Sequence, residues 1–234
     1  MKPMFIFAFA KSQELPPDGF ASNQVQMMGL LALMAVIPFA IMMLTSFSKI
    51  VVVLSIVRSA LGTQQAPPTM VLTGLAAVLS ATVMTPTFEK MWAQGRSSWS
   101  EGPDAVSMVS SVGVVLQPLR DFLVKHGSAE ERARFVDMAR ELRGGDDDAA
   151  PVSEADMTVV VPAFVITELK EAFIIGFLVF LPFLVLDMLI ANVLLALGMQ
   201  TLSPSQVSLP FKILLFVAVD GWALLSRGLI LGYR

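Results

Sequence analysis

Two aspartates stand alone in long apolar runs: Asp187 in Val185-Leu186-Asp187 and Asp220 in Ala218-Val219-Asp220-Gly221. Two carboxylates at membrane depth are what an aspartyl protease uses, one as base and the other as acid. The Gly-x-Gly-Asp setting of such a dyad is missing at both positions. Other chemistries find less. The chain has no Cys, which excludes thiol nucleophiles, disulfides and Cys-ligated metals. The single His, His126, cannot build a His-Glu-x-x-His site, and it sits in hydrophilic sequence beside Gly127, where it offers no serine a base. Neither a Gly-x4-Gly-Lys-Ser/Thr loop nor a Gly-x-Gly-x-x-Gly turn occurs, and Asp146-Asp147-Asp148 lacks the Gly and terminal Glu of a calcium loop. No catalytic residue, metal or cofactor is expected.

The elements that hold these residues are set by hydrophobicity. Of 234 residues 55% are hydrophobic and 15% charged, and the mean hydropathy is +0.72, which places the chain in the membrane class. A net charge of −3 provides no basic excess for a nucleic-acid partner. Met27–Leu44 is uncharged over 18 residues, close to the ~20 that cross a bilayer core. Ile50–Val57 follows Lys49; Gly62 and the Pro67-Pro68 pair then make a turn before a second uncharged stretch, Thr69–Phe88. From Glu89 to Asp156 thirteen acids face eight bases, the composition of a hydrophilic insert. Apolar sequence returns as Met157–Met199 and Val207–Leu231, divided by Gln200–Ser205. The pattern predicts an all-α integral membrane protein: an N-terminal tail (1–22), a first membrane hairpin (23–88), a helical hydrophilic domain (89–156) and a second hairpin (157–234). Pro38, Pro162, Pro182 and Pro210 should kink the apolar helices.

Within the insert, Ser128-Ala129-Glu130-Glu131 has capping-box spacing, so a helix should begin there. Phe135, Met138, Ala139 and Leu142 form its apolar face, and Gly144-Gly145 ends it. At the other end of the chain, Lys2 precedes an apolar stretch ending in Ala8-Phe9-Ala10, the small-x-small form of a cleavage site; the alternative is an apolar tail packed on the first helix. The acidic insert and the Arg58 link together favour the insert on the outer, periplasm-like side.

Charges inside the last two apolar blocks need an explanation. Glu168, Lys170, Glu171, Asp187, Lys212, Asp220 and Arg227 would each cost about 2.5–3.5 kcal/mol at bilayer centre on a lipid-facing helix. They must pair, or face protein or water. Glu168 and Glu171 share a face from which Lys170 is excluded, which leaves Lys212 as the available cation on another helix. That pair could join helices of one chain or two copies of it. Lys49, Asp187 and Asp220 are expected to be buried polar groups of the membrane helices. A small secondary transporter or ion channel using Asp187, Asp220 and Glu168 as coupling sites is the alternative function, although such folds often show internal repeats and none is found.

Three stretches together resemble one family: Thr45-Ser46-Phe47-Ser48-Lys49-Ile50 through Arg58 into Gly62-Thr63-Gln64-Gln65-Ala66-Pro67-Pro68; Thr167-Glu168-Leu169-Lys170-Glu171 with its flanks; and Leu209-Pro210-Phe211-Lys212 through Val219-Asp220-Gly221-Trp222. The chain is similar to the type III secretion export-gate family, FliP in flagella and SctR in injectisomes, over about residues 28–234. Its Gly-Thr-Gln-Gln link and its Leu225–Tyr233 ending look more like the injectisome branch, which serves virulence. The resemblance implies a homopentamer that joins two smaller export-gate subunits in a helical cone. Larger export-gate and switch-type membrane subunits would stand beside it in the bacterial inner membrane, and unfolded secreted proteins would pass as substrate. It further implies an ion pair between copies, Glu168 with Lys212. The loop 198–205 would be a pore gate, with Met199, Gln200, Thr201 and Leu202 at the seal; of the family's Met run only Met199 is present.

Overall fold

The computed structural model describes residues 18–63, 66–99, 113–142 and 152–234. The Ala8-Phe9-Ala10 site, the Gly144-Gly145 stop and the Asp146–Asp148 run lie outside the described residues. The chain divides into two compact units, Met1–Ala40 and Ile41–Arg234. Most of α1 (Asp18–Met43) belongs to the first; it holds Pro38 and exposes Met27, Met28, Leu31 and Met34. The second unit contains α2 (Phe47–Leu61), α3 (Thr69–Trp99), α4 (Gln117–His126), α5 (Ala129–Leu142), α6 (Met157–Ala196), α7 (Pro204–Ala218) and α8 (Gly221–Leu231).

Local sequence explains where these helices start and stop. Gly62 closes α2 in the left-handed conformation at φ +74°, its N–H donated to Ser59 O. Pro204 opens α7 at its first turn, where the missing N–H costs nothing. The chain bends by 59° between α7 and α8, and Asp220, at φ +50°, is the residue at the bend. Pro162 and Pro182 lie inside α6 and Pro210 inside α7, as expected; Pro86 inside α3 is a further one. Among the described residues two helices are long and apolar enough to cross a bilayer, Thr69–Arg96 and Met157–Ala196, and the bent α7–α8 pair passes the same test as one broken span.

α2 is the central element. Its buried Ile50, Val53, Leu54, Val57 and Ala60 pack with Leu72 and Ala76 of α3, Ala172 and Phe183 of α6, Phe216 of α7 and Leu225 and Leu229 of α8. A hydroxyl knot fixes the corner before it: Ser46 Oγ donates to Ser80 Oγ at 3.0 Å, Ser80 Oγ to Thr45 Oγ1 at 3.3 Å, and Thr45 Oγ1 to Ile41 O at 2.7 Å. Buried hydroxyls of this kind join apolar helices where nothing else polar is at hand.

The hydrophilic stretch is less separate than its composition suggests. α3 runs eleven residues past Phe88, to Trp99, and α4 and α5 pack on α6 within the same unit as the apolar helices. α5 begins at Ala129 as its spacing predicts, but the capping box does not form. The Ser128 N–H is taken by Thr167 Oγ1 at 3.0 Å, and Glu131 turns away to Lys170 and Arg134. The apolar face of α5 is also narrower than predicted: Phe135 and Ala139 pack beside Val136, Val152 and Val159, whereas Met138 and Leu142 are exposed.

Gly176 sets the approach of α6 to α2. A Cβ there would fall 2.4 Å from Ile56 Cδ1 and 3.1 Å from its Cβ, so the whole Ile56 side chain blocks it. Gly176→Ala is expected to destabilise the protein by about 1–3 kcal/mol through overpacking, measured as a lowered thermal midpoint in detergent. An Ile56→Ala background should recover part of the loss.

Candidate functional site: polar junctions in the apolar helices

On α6 the four polar residues Thr167, Glu168, Lys170 and Glu171 reach three different places in the fold. Thr167 Oγ1 donates back to Ala163 O and accepts from Ser128 N, which holds the α4–α5 corner. Lys170 leaves the acids' face, as its position requires, and donates to Glu131 of α5 at 2.7 Å. Glu168 and Glu171 turn to α2 instead. Lys49 Nζ lies 3.0 Å from Glu168 Oε1 and 2.6 Å from Glu171 Oε2, the second in hydrogen-bond alignment. Lys49 and Glu168 are buried, Glu171 about half exposed.

Tyr233, just beyond α8, closes this junction. Its hydroxyl donates to the second oxygen of Glu168, and Lys49 Nζ sits 4.2 Å from its ring centre, a cation over an aromatic face. Phe122 stacks on the same ring at 6.0 Å, and His126 meets it edge-on at 5.0 Å. One buried ammonium therefore serves two carboxylates, with a phenol and α4 sealing it from above.

A second junction lies further along α6. Lys212 of α7 donates to Asp187 Oδ2 at 2.6 Å and to Ala60 O of α2 at 3.1 Å, and Ser208 donates to Asp187 Oδ1 at 2.5 Å. These bonds tie α2, α6 and α7 together at one level. They also alter the expected pairing. Glu168 and Lys212 each have a different partner within the chain, Lys49 and Asp187, and Asp187 is 19 residues beyond Glu168 on the same helix, roughly 28 Å at 1.5 Å per residue. A Lys212 held by Asp187 cannot reach the Glu168 of its own chain, which closes the intramolecular form of that pair. A contact between copies would have to draw each group from the partner it has.

Of the three other polar residues assigned to the membrane helices, Lys49 is buried and Asp187 half-buried, but Asp220 is exposed. The left-handed bend puts Asp220 outside the packing of α7 on α8, and its side chain makes no cap bond. Asp187 is bonded to a lysine and a serine, not to a second carboxylate, so the structure brings no protease dyad together here.

The loop after α6 presents Met199, Gln200, Thr201 and Leu202 as exposed side chains. Gly198, at φ +72°, ends α6 in a Schellman arrangement: Met199 N–H goes to Leu194 O and Gly198 N–H to Leu195 O. Within one chain this segment is a tight turn between α6 and α7.

Sequence reasoning missed Lys49 as the partner of both glutamates, and Tyr233 and Ser208 altogether. Lys49 was visible as the one cation between two apolar runs. Tyr233, the only tyrosine, had no spacing signal.

Helices of membrane-spanning length, all-helical architecture among the described residues and charges gathered at helix junctions define an α-helical membrane protein. The family is equally plain: the chain belongs to the FliP family, whose model matches residues 30–229. It is 45% identical to the hypersensitivity response secretion protein HrcR of Ralstonia nicotianae, over 86% of this chain and 93% of that protein. It is 41% identical to the Yop proteins translocation protein R of Yersinia pestis, over 90% and 97% of the two chains. With the flagellar biosynthetic protein FliP of Bacillus subtilis it shares 38% identity over 97% of each chain.

Two expectations follow. Lys49→Ala strands two carboxylates, one fully buried, and should cost about 3–5 kcal/mol, against less for Lys49→Ala combined with Glu168→Gln, read from unfolding in detergent. The second concerns His126, whose imidazole is lowered from 6.5 to about 4 by burial first and by Lys125 and Lys49 next, with Glu171 opposing. A histidine with a folded pKa below its unfolded value stabilises fully above about 6.5. That contribution is lost as pH falls towards 4, because the unfolded chain then binds the extra proton. The stability of the native protein relative to His126→Gln should therefore fall between pH 6.5 and 4 and be flat from 7 to 8.

Proposed function

We propose that this chain is a channel-forming component of a type III secretion export gate, conducting unfolded proteins across the bacterial inner membrane with no chemistry of its own. The observation that carries this reading is the outer surface of α6. Phe173, Ile174, Phe177, Leu178, Val185, Met188, Leu189 and Val193 are exposed along one broad face of a 40-residue helix whose other face is apolar as well and packs on α2. A helix apolar all round needs cover from lipid or from other helices. α6 is about 60 Å long, twice a ~30 Å hydrocarbon core, so lipid cannot sheathe all of it. Cover by further copies and by partner subunits accounts for the remainder, and the relatives, a secretion and a translocation protein by name, support that reading.

The assembly proposed is a homopentamer forming a helical cone with two smaller export-gate subunits, beside the larger export-gate and switch-type subunits. It would belong to an injectisome, with the hydrophilic segment on the periplasmic side. The turn 198–205 would converge from each copy on the axis. There Met199 and Leu202 supply deformable apolar closure and Gln200 and Thr201 a polar ring.

Native mass of the detergent-extracted protein, alone and with the genes beside its own, tests the assembly. A species of about five copies that takes up smaller subunits is expected, and a monomer or dimer indifferent to its neighbours would refute it. Bulky thiol labels on Met199→Cys or Leu202→Cys should block secretion and alter ion leak; no change in either would remove the gate assignment.

A further inference from the structure

Seven charges interrupt the apolar blocks between residues 157 and 231, and the chain itself pairs five of them: Glu168, Lys170, Glu171, Asp187 and Lys212. Arg227 on α8 and Asp220 at the bend before it are left over. Asp220 and Arg227 are exposed, and among the described residues neither has an ion pair. Arg227 lies on one stripe of α8 with Leu224 and Leu231, at positions i, i+3 and i+7 from Leu224, opposite the buried Gly221, Leu225 and Leu229, and Asp220 stands at the bend before it. Lipid is a poor neighbour for that stripe because of its charge. Water is a poor neighbour because Leu224 is 65% exposed and Leu231 41%. Gly228, on the same side, has nothing within 4 Å of where a Cβ would be, room for another helix to come close.

We propose that the α8 stripe docks on a second copy of this chain, with Arg227 bonded to that copy's Glu171. Charge selects the occupant. Glu168 and Glu171 share the single ammonium of Lys49, and Glu171 is the half-exposed carboxylate of that junction, open to a second cation. Shape agrees with charge, since an open apolar groove of about 270 Å³ adjoins it, lined by Val51, Val52, Ser55, Ile56, Ser59 and Phe173. Depth agrees as well. Tyr233 is bonded to Glu168, and Arg227 lies six residues earlier, about 9 Å of helix, so copies side by side bring Arg227 near the level of Glu171. Donor stripe and acceptor groove are different surfaces, so the contact is heterologous, the type that closes into rings.

This contact rests on the oligomeric reading above and adds the surface that makes it. The absence of native cysteine allows a clean test. Leu224→Cys with Phe173→Cys, in otherwise intact protein, should give a copy-to-copy crosslink that neither single variant gives. Arg227→Glu should lower the oligomer fraction roughly tenfold or more, and Glu171→Arg should restore it. Native mass of the unsubstituted protein is measured in parallel. If that protein is monomeric, the export-gate assembly fails with this contact. If it is oligomeric yet uncrosslinked, or Leu224→Cys in the oligomer reacts with a water-soluble maleimide or a lipid-phase probe, only the contact is overturned. Recovery of an assembly lost in Glu168→Lys by Lys212→Glu, with none in the Glu171 and Arg227 exchange, would also overturn it.

Discussion

A charge inside an apolar helix bundle must be neutralised where it stands, and the packing of this chain follows from that requirement. Lys49 is the group on which most depends. It enters the core from α2, the helix that touches nearly every other apolar element, and meets two carboxylates of α6 and the ring of Tyr233. Those contacts fix the register of α2 along α6, bring in the end of α8 and set the floor on which α4 rests. Removing one partner from a buried pair costs more than the pair contributes, so the junction specifies an arrangement more than it adds net stability. Apolar surfaces can slide past one another with little penalty; a buried ammonium with two acids cannot.

The second junction repeats the logic at a distance. Asp187, Lys212, Ser208 and the Ala60 carbonyl hold the far halves of α2 and α6 to α7. With two pinned levels about 24–28 Å apart along α6, the helices between them are aligned by purely apolar contacts, Gly176 against Ile56 among them. The face of α6 turned away from α2, from Phe173 to Val193, is left bare along and beyond this framework.

Much of this was legible in the sequence. The apolar runs marked the helices, the prolines marked positions within them, and the seven charges marked the places where lipid could not be the neighbour. The separation of Lys170 from Glu168 and Glu171 followed from helical geometry and holds in the structure. The choice of cation did not follow, because spacing along one helix says which face a group occupies and nothing about which helix lies opposite. Lys212 and Lys49 both had suitable chemistry, and only the parallel packing of α2 along α6 decides for Lys49. Similarly, Ser128 and Glu131 had the right spacing for a capping box, but Thr167 and Lys170 compete for the same groups from a neighbouring helix. No local pattern can report a competitor more than 30 residues away. Asp220 was assigned inside because its neighbours are apolar, and the left-handed bend that turns it outward is a backbone feature its sequence does not announce.

The turn between α6 and α7 has little backbone freedom to spare. Its first residues are locked by the Schellman bonds of Gly198 and Met199, and Pro204 already belongs to the next helix. Only about four residues lie between two rigid cylinders. If these turns meet on an axis, an aperture made from them behaves as an iris with stiff blades. Its soft parts are the thioether of Met199 and the side chains beside it, and wider dilation requires whole α6–α7 pairs to tilt together.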